Sequence, residues 1–235
     1  MSPFFLGEFL GTAVLILLGG GVVAAVLLER SKAKGAGWIV VTAGWACAVT
    51  CGIFTAKAFG APGSLNPVGP LADIATGKGP LDDKLAMIAG QFLGAFVGAT
   101  LVWIHYLPHW AATADPATKL GVFCTAPAIR HPLANFLGEA IGTFLLVFVA
   151  SSVGEAKLGS VEPPFVGMVV WAIGLSLGAT TGYAINPARD LAPRLAHFLL
   201  PIAGKGPSDW GYAWVPVLGP CTGGVLAAFA FQSLK

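Results

Sequence analysis

The chain has 235 residues, of which 56% are hydrophobic and 10% charged, and its mean hydropathy is +0.79. Soluble domains carry about 25% charged residues, so the composition excludes an ordinary soluble protein and fits one embedded in a bilayer. The net charge of +2 is too small to point to a nucleic-acid partner.

A helix needs roughly 20 apolar residues to cross a membrane. Six segments meet that requirement: 4–28, 38–59, 85–107, 133–153, 165–183 and 212–234. The first carries a lone acid, Glu8, and the second holds Trp45. Next comes "GSLNPVGPLADIATG", moderately apolar and too short to cross, which contains Asn66, Pro67 and Val68. The third span contains "GQFLGAFVGA", and the fourth carries the second lone acid, Glu139. The fifth holds Gly174 and runs to Tyr183, followed by "INPARDLAPRLAHFLL" with Asn186, Pro187, Ala188, Arg189 and Asp190. Polar connections such as "PHWAATADPATKLG" separate the spans, and Trp38, Trp103, Trp110, Trp210 and Trp214 fall near span ends, where interfacial aromatics belong. Cys47, Cys51, Cys124 and Cys221 form no C-x-x-C pair, and the histidines lack metal-ligand spacing. The cysteines read as small buried residues, with no metal and no cofactor expected.

The chain also repeats. "FLGEFLGT" around Glu8 returns as "FLGEAIGT" around Glu139, an offset of 139 − 8 = 131. Asn66-Pro67 returns as Asn186-Pro187, an offset of 186 − 66 = 120. Three spans per half make the second half enter from the opposite face, an inverted repeat. The chain thus reads as a single transmembrane domain with repeats at about 1–110 and 131–235. Asn is a favoured N-cap and Pro suits the first helical position, so each pair opens a half-length helix. Two such helices from opposite faces meet near the midplane with their positive ends together, a field that disfavours cations and protons.

With these motifs, and with "TGYAINPARD" and "WVPVLGPCTGGVLAAF", the chain resembles the aquaporins or major intrinsic proteins, specifically their glycerol-facilitator branch. The resemblance implies an all-α membrane fold of six transmembrane helices and two re-entrant half-helices. It also implies a homotetramer in the cell membrane, with both termini cytoplasmic. The lysine and arginine distribution does not decide that orientation by itself. One motif departs from the family: Val68 stands where Ala is expected, which puts the midplane width in question.

Motif by motif, the resemblance gives a selectivity filter of Trp45, Gly174, Tyr183 and Arg189. Gly174 would widen the hole. Trp45 and Tyr183 would offer aromatic walls to a carbon backbone, and Arg189 would offer donors to hydroxyl oxygens. The Tyr183 hydroxyl either makes the wall more polar, favouring solutes such as undissociated lactic acid, or points to a helix. The expected function is a passive channel for glycerol, similar polyols and water, with dihydroxyacetone and lactic acid as further candidates. The alternative is a proton-coupled transporter of a small hydroxylated solute using Glu8 and Glu139. Their symmetric placement favours a structural role, bracing the loops, with Asp190 as a third brace. No nucleophile–base motif or phosphate loop suggests an enzyme.

Overall fold

The structure is a computed structural model that describes residues 2–235. It consists of helices α1 (Pro3–Leu27), α2 (Trp38–Ala58), α3 (Val68–Ala75), α4 (Leu81–His105), α5 (Leu107–Ala112), α6 (Pro116–Phe123), α7 (Pro132–Glu155), α8 (Glu162–Ser176), α9 (Pro187–Leu199) and α10 (Val215–Leu234). A short 3-10 turn, Gly159–Val161, leads into α8. No strand occurs among the described residues. Five helices, α1, α2, α4, α7 and α10, are long and apolar enough to cross a membrane.

The expected fifth span differs from the helix that forms. α8 has 15 residues and stops at Ser176, well short of Tyr183. At about 1.5 Å per residue it covers ~22 Å, less than a full bilayer core. The rest of the distance is made by residues 177–186, which run as turns and irregular chain beside the centre of the bundle. Gly178 permits the close approach that follows, since a Cβ there would lie 2.5 Å from both the Gly174 carbonyl oxygen and Tyr183 Cδ1. The chain doubles back so tightly that the Tyr183 ring occupies the place of a side chain.

The connection after α4 is also more ordered than its polar sequence suggests. It forms α5 and α6, and Asp115 caps α6 by accepting the N–H groups of Ala117 and Thr118 at 3.1 and 3.0 Å. Trp110, expected at the interface, is instead buried, its indole N–H donating to the Trp103 carbonyl at 2.9 Å. Cys47 and Cys51 are exposed on α2 rather than buried. His197 does not meet the C-terminal carbonyls of α9. It is buried and bonds Ser208 at 2.9 Å, while Lys205 donates to the carbonyls of His197, Phe198 and Leu200.

Close backbone approach holds the bundle together. A Cβ on Gly90 of α4 would sit 2.5 Å from the Phe5 carbonyl oxygen of α1, and one on Gly98 would sit 2.6 Å from that of Ala13. Gly219 of α10 repeats the pattern against Phe136 of α7 at 3.0 Å. In lipid, where no hydrophobic force drives helices together, such small-residue seams supply the van der Waals contact. Gly98→Leu is expected to lower the thermal midpoint in detergent by about 5 °C or more, an overpacking effect. Gly21→Ala, where a Cβ meets nothing within 4 Å, should leave it nearly unchanged. Equal midpoints for the two variants would contradict the seam.

Candidate functional site

The two Asn-Pro stretches meet at the centre. Residues preceding each half-helix run as irregular chain, and their N–H groups need acceptors. Glu8 supplies them on one side: its Oε1 accepts Gly63 and Ser64 N–H at 2.9 and 2.7 Å, and its Oε2 accepts Leu65 N–H at 2.7 Å. Gln91 Nε2 donates to the same Oε2 at 2.8 Å. Glu139 supplies the other side, accepting Ala184 and Ile185 N–H at 3.0 and 2.8 Å. Glu8 and Glu139 are 0% and 1% exposed. Both oxygens of each buried carboxylate thus accept loop N–H groups, and Glu8 also accepts the Gln91 amide.

These bonds hold the loops in conformations that side chains resist. Leu65 has φ of 53° and Ile185 has φ of 42°, and left-handed backbone is a genuine outlier for a β-branched residue. The strain turns the carbonyls of Leu65 and Ile185 toward the facing loop. Asn66 Nδ2 donates to Ile185 O at 2.7 Å, and Asn186 Nδ2 donates to Leu65 O at 2.7 Å. Each asparagine also steadies its own half-helix. Asn66 Oδ1 accepts Val68 N–H at 3.0 Å, and Asn186 Oδ1 accepts those of Ala188 and Arg189 at 3.1 and 3.2 Å. The first half-helix begins at Val68, one residue later than the sequence suggests.

Three cavities lie in series along this centre. A middle one of about 90 Å³ is lined by Asn66 and Asn186, the loop residues Gly63–Leu65 and Gly182–Ile185, and aliphatic side chains including Val49, Leu146 and Val170. It shares Trp45, Gly182, Tyr183 and Arg189 with a second cavity of about 400 Å³ beside α6. On the opposite side it shares Ile53, Gly63, Ser64, Asn66, Leu146 and Val166 with a cavity of about 470 Å³ beside α3.

Trp45, Tyr183 and Arg189 therefore converge where the first two cavities join. Arg189 is 6% exposed, with Cζ 4.3 Å from the Trp45 ring centroid and Nη1 donating to the Phe123 carbonyl at 3.2 Å. The Trp45 ring fits because position 19 is glycine, where any Cβ would collide with it. Gly174 lies against the Tyr183 ring: a Cβ there would meet Tyr183 Cζ at 2.8 Å and Thr42 Cγ2 at 3.0 Å. It lies behind the Tyr183 ring and gives that ring its room. The Tyr183 hydroxyl is buried without a hydrogen-bond partner, so it adds no polar group to the wall. Trp38 packs edge-on against the ring, centroids 5.8 Å apart.

Asp190 Oδ2 accepts the N–H and hydroxyl of Thr125, both at 2.7 Å. Its Oδ1 accepts Arg194 Nε and Nη2 at 3.0 and 2.7 Å. Arg194 also donates to the carbonyls of Thr125, Ser208 and Asp209, tying three segments around α9. The sequence motifs do not single out Arg194, Phe123 or Gln91. Gln91 carries a signal, a lone amide inside an apolar span, but the Phe123 contact uses a backbone carbonyl and has no side-chain signature.

An inverted repeat of membrane helices, with half-helices meeting end to end over a line of cavities, defines a membrane channel. The chain matches the major intrinsic protein family over residues 3–231, and it belongs to that family. It is 53% identical over 231 residues to glycerol uptake facilitator protein 3 of Lactiplantibacillus plantarum, covering 97% of this chain and 95% of that one. It is 38% identical over 228 residues to the D/L-lactic acid transporter of the same organism, covering 95% and 94%. Among solved structures it is similar to the aquaglyceroporin from Plasmodium falciparum, with a TM-score of 0.85 and 27% identity, covering 99% of this chain and 96% of that one.

Two outcomes check this geometry. Glu139→Gln replaces one acceptor oxygen with a donor facing an N–H group, and should lower the thermal midpoint by about 5 °C while reducing flux. Tyr183→Phe removes a buried, unpartnered hydroxyl and should keep or raise the midpoint, with relative solute fluxes unchanged within about twofold. A changed solute order in Tyr183→Phe would place the hydroxyl on the route.

Proposed function

We propose that the line of cavities is a passive channel for glycerol, similar linear polyols and water. The observation that carries this reading is the junction where the Trp45 and Tyr183 rings share one opening with the Arg189 guanidinium. A linear polyol has a carbon edge and a hydroxyl edge, which match the aromatic side and the guanidinium side respectively. In this reading Trp45, Tyr183 and Arg189 form the filter, with Gly174 supporting it from behind.

Further in, the chemistry fits a neutral hydroxylated solute. Each asparagine amide has two N–H groups, and one bonds the opposite loop, leaving the other for a solute oxygen. The aliphatic wall opposite accommodates carbon. Two half-helix N-termini and Arg189 oppose cations and protons. The likeness to a glycerol uptake facilitator at 53% identity supports glycerol as the solute. The likeness to a lactic acid transporter at 38% makes undissociated lactic acid, with dihydroxyacetone, a second solute to test. The two halves, about 1–110 and 131–235, act as one domain, in a homotetramer in the cell membrane. Both termini face the cytoplasm, so the α6-side cavity opens outward and the α3-side cavity inward.

A proton-coupled transporter would need a titrating group that faces the route. Glu8 and Glu139 do not offer one, since their oxygens are occupied by loop N–H groups.

Reconstituted in liposomes, the protein should pass glycerol and water without a driving gradient and without uphill accumulation. Accumulation driven by a proton gradient would overturn the channel reading. Gly174→Ala should push the Tyr183 ring into the opening and cut glycerol flux by about tenfold or more, with a smaller loss of water flux. Equal losses of both would mean that the ring is not the narrow point.

A further inference from the structure

We propose that Val68 and Gly224 form a size-matched pair that sets the width of the passage beside Asn66, making Val68 a specificity-determining residue on the inner side. The proposal rests on the channel reading above. Val68 is 0% exposed and lines the cavity of about 470 Å³. Its Cγ1 occupies the place that a Cβ on Gly224 of α10 would take, and Val147 Cγ2 of α7 lies 3.4 Å from the same point.

The internal repeat shows what the pair replaces. Gly94 of α4 abuts the Phe9 carbonyl of α1, and Gly223 of α10 abuts the Ala140 carbonyl of α7. Those two glycines therefore correspond, at an offset of 223 − 94 = 129, and the residue after each is Ala95 and Gly224. Likewise Ala188 corresponds to Val68, each following its Asn-Pro pair. Ala95 and Ala188 are both fully buried, on the packed pair α4 and α9. One half uses alanine on both elements, and the other uses valine on the half-helix and glycine on the span. Relative to that alanine pair, Val68 adds two carbons on α3 and Gly224 removes one on α10, at the point where the two meet.

The coupling to the passage comes from stiffness. A valine in a helix has essentially one side-chain rotamer, so Val68 cannot turn away from a new neighbour. Any overlap at Gly224 must shift the first turn of α3. That turn holds Asn66 through Val68 N–H, and Asn66 in turn bonds Ile185 across the centre. A displacement at Gly224 therefore reaches the amide that faces the route.

The test is solute flux by stopped-flow light scattering in liposomes with quantified protein, using glycerol and the five-carbon polyol xylitol. Val68→Ala should raise the ratio of xylitol flux to glycerol flux by about fivefold or more. Gly224→Ala should cut glycerol flux by about tenfold. The double variant Val68→Ala with Gly224→Ala, which recreates the alanine pair of the other half, should recover glycerol flux to within about twofold of the unmodified protein. Should Gly224→Ala not fold, recovery of folded, conducting protein in the double variant supports the pairing equally. A double variant no better than Gly224→Ala, or an unchanged xylitol-to-glycerol ratio in Val68→Ala, overturns the proposal. Absence of glycerol flux in the unmodified protein would instead overturn the channel reading.

Discussion

The structure depends on one requirement: irregular backbone at membrane depth must have every N–H group accepted. Helices satisfy their own, but the stretches 63–66 and 177–186 cannot. Two carboxylates meet the part of that demand nearest the centre, accepting the N–H groups of Gly63, Ser64, Leu65, Ala184 and Ile185. A carboxylate presents several lone pairs and accepts charge-assisted bonds, roughly twice as strong as neutral ones. Burying one alone in a membrane helix is costly, on the order of 2.5 kcal/mol or more. Buried against several N–H donors, the cost is offset and the loop becomes as fixed as the helix that carries the acid.

That fixation makes the contacts at the centre possible. Leu65 and Ile185 adopt backbone that such residues avoid, and the adjoining N–H bonds to Glu8 and Glu139 hold them there. Their carbonyls then receive the asparagine amides of the facing loop. Each half-helix is therefore positioned by its own carboxylate and by the other half's strained residue. The two halves interlock rather than merely touch, so the middle cavity has a defined shape without any helix crossing it.

Much of this was legible because it is written twice. A single Asn-Pro pair is a turn, and a single buried Glu is an anomaly. Two of each in register read as two loops and two braces, and their length makes them half-helices. What the sequence did not show was spatial order among residues that share no element. The family resemblance assigned Gly174 and Tyr183 to one filter, with Gly174 widening the hole, but not how the two lie against each other. Once α8 ends at Ser176 the chain turns back, and the ring comes to rest over the glycine. Trp110 carried the signature of an interfacial aromatic and is a packing residue, because its ring lies against Phe123 and its N–H bonds the Trp103 carbonyl. Phe123 acts through a carbonyl, which every residue possesses, so no pattern could single it out.

The same fixity bears on how a solute is selected. In the proposed channel, none of the groups at the narrow junction needs to move or titrate. Arg189 is held by the Phe123 carbonyl and lies over Trp45, while Tyr183 is held by Gly174, Gly178 and Trp38. Selection by such a site is a difference in how well fixed surfaces replace water around each solute, as polar sites reject analogues that leave their groups unpaired. A charged solute would have to leave its hydration shell at an opening whose charge is fixed and positive. A polyol would exchange hydroxyl–water bonds for bonds to the guanidinium and to the free asparagine N–H groups while its carbons slide along aromatic and aliphatic walls. The buried phenol oxygen of Tyr183 sharpens this point. The ring serves by shape and apolar surface, so in this reading the polar edge of the opening is set by Arg189.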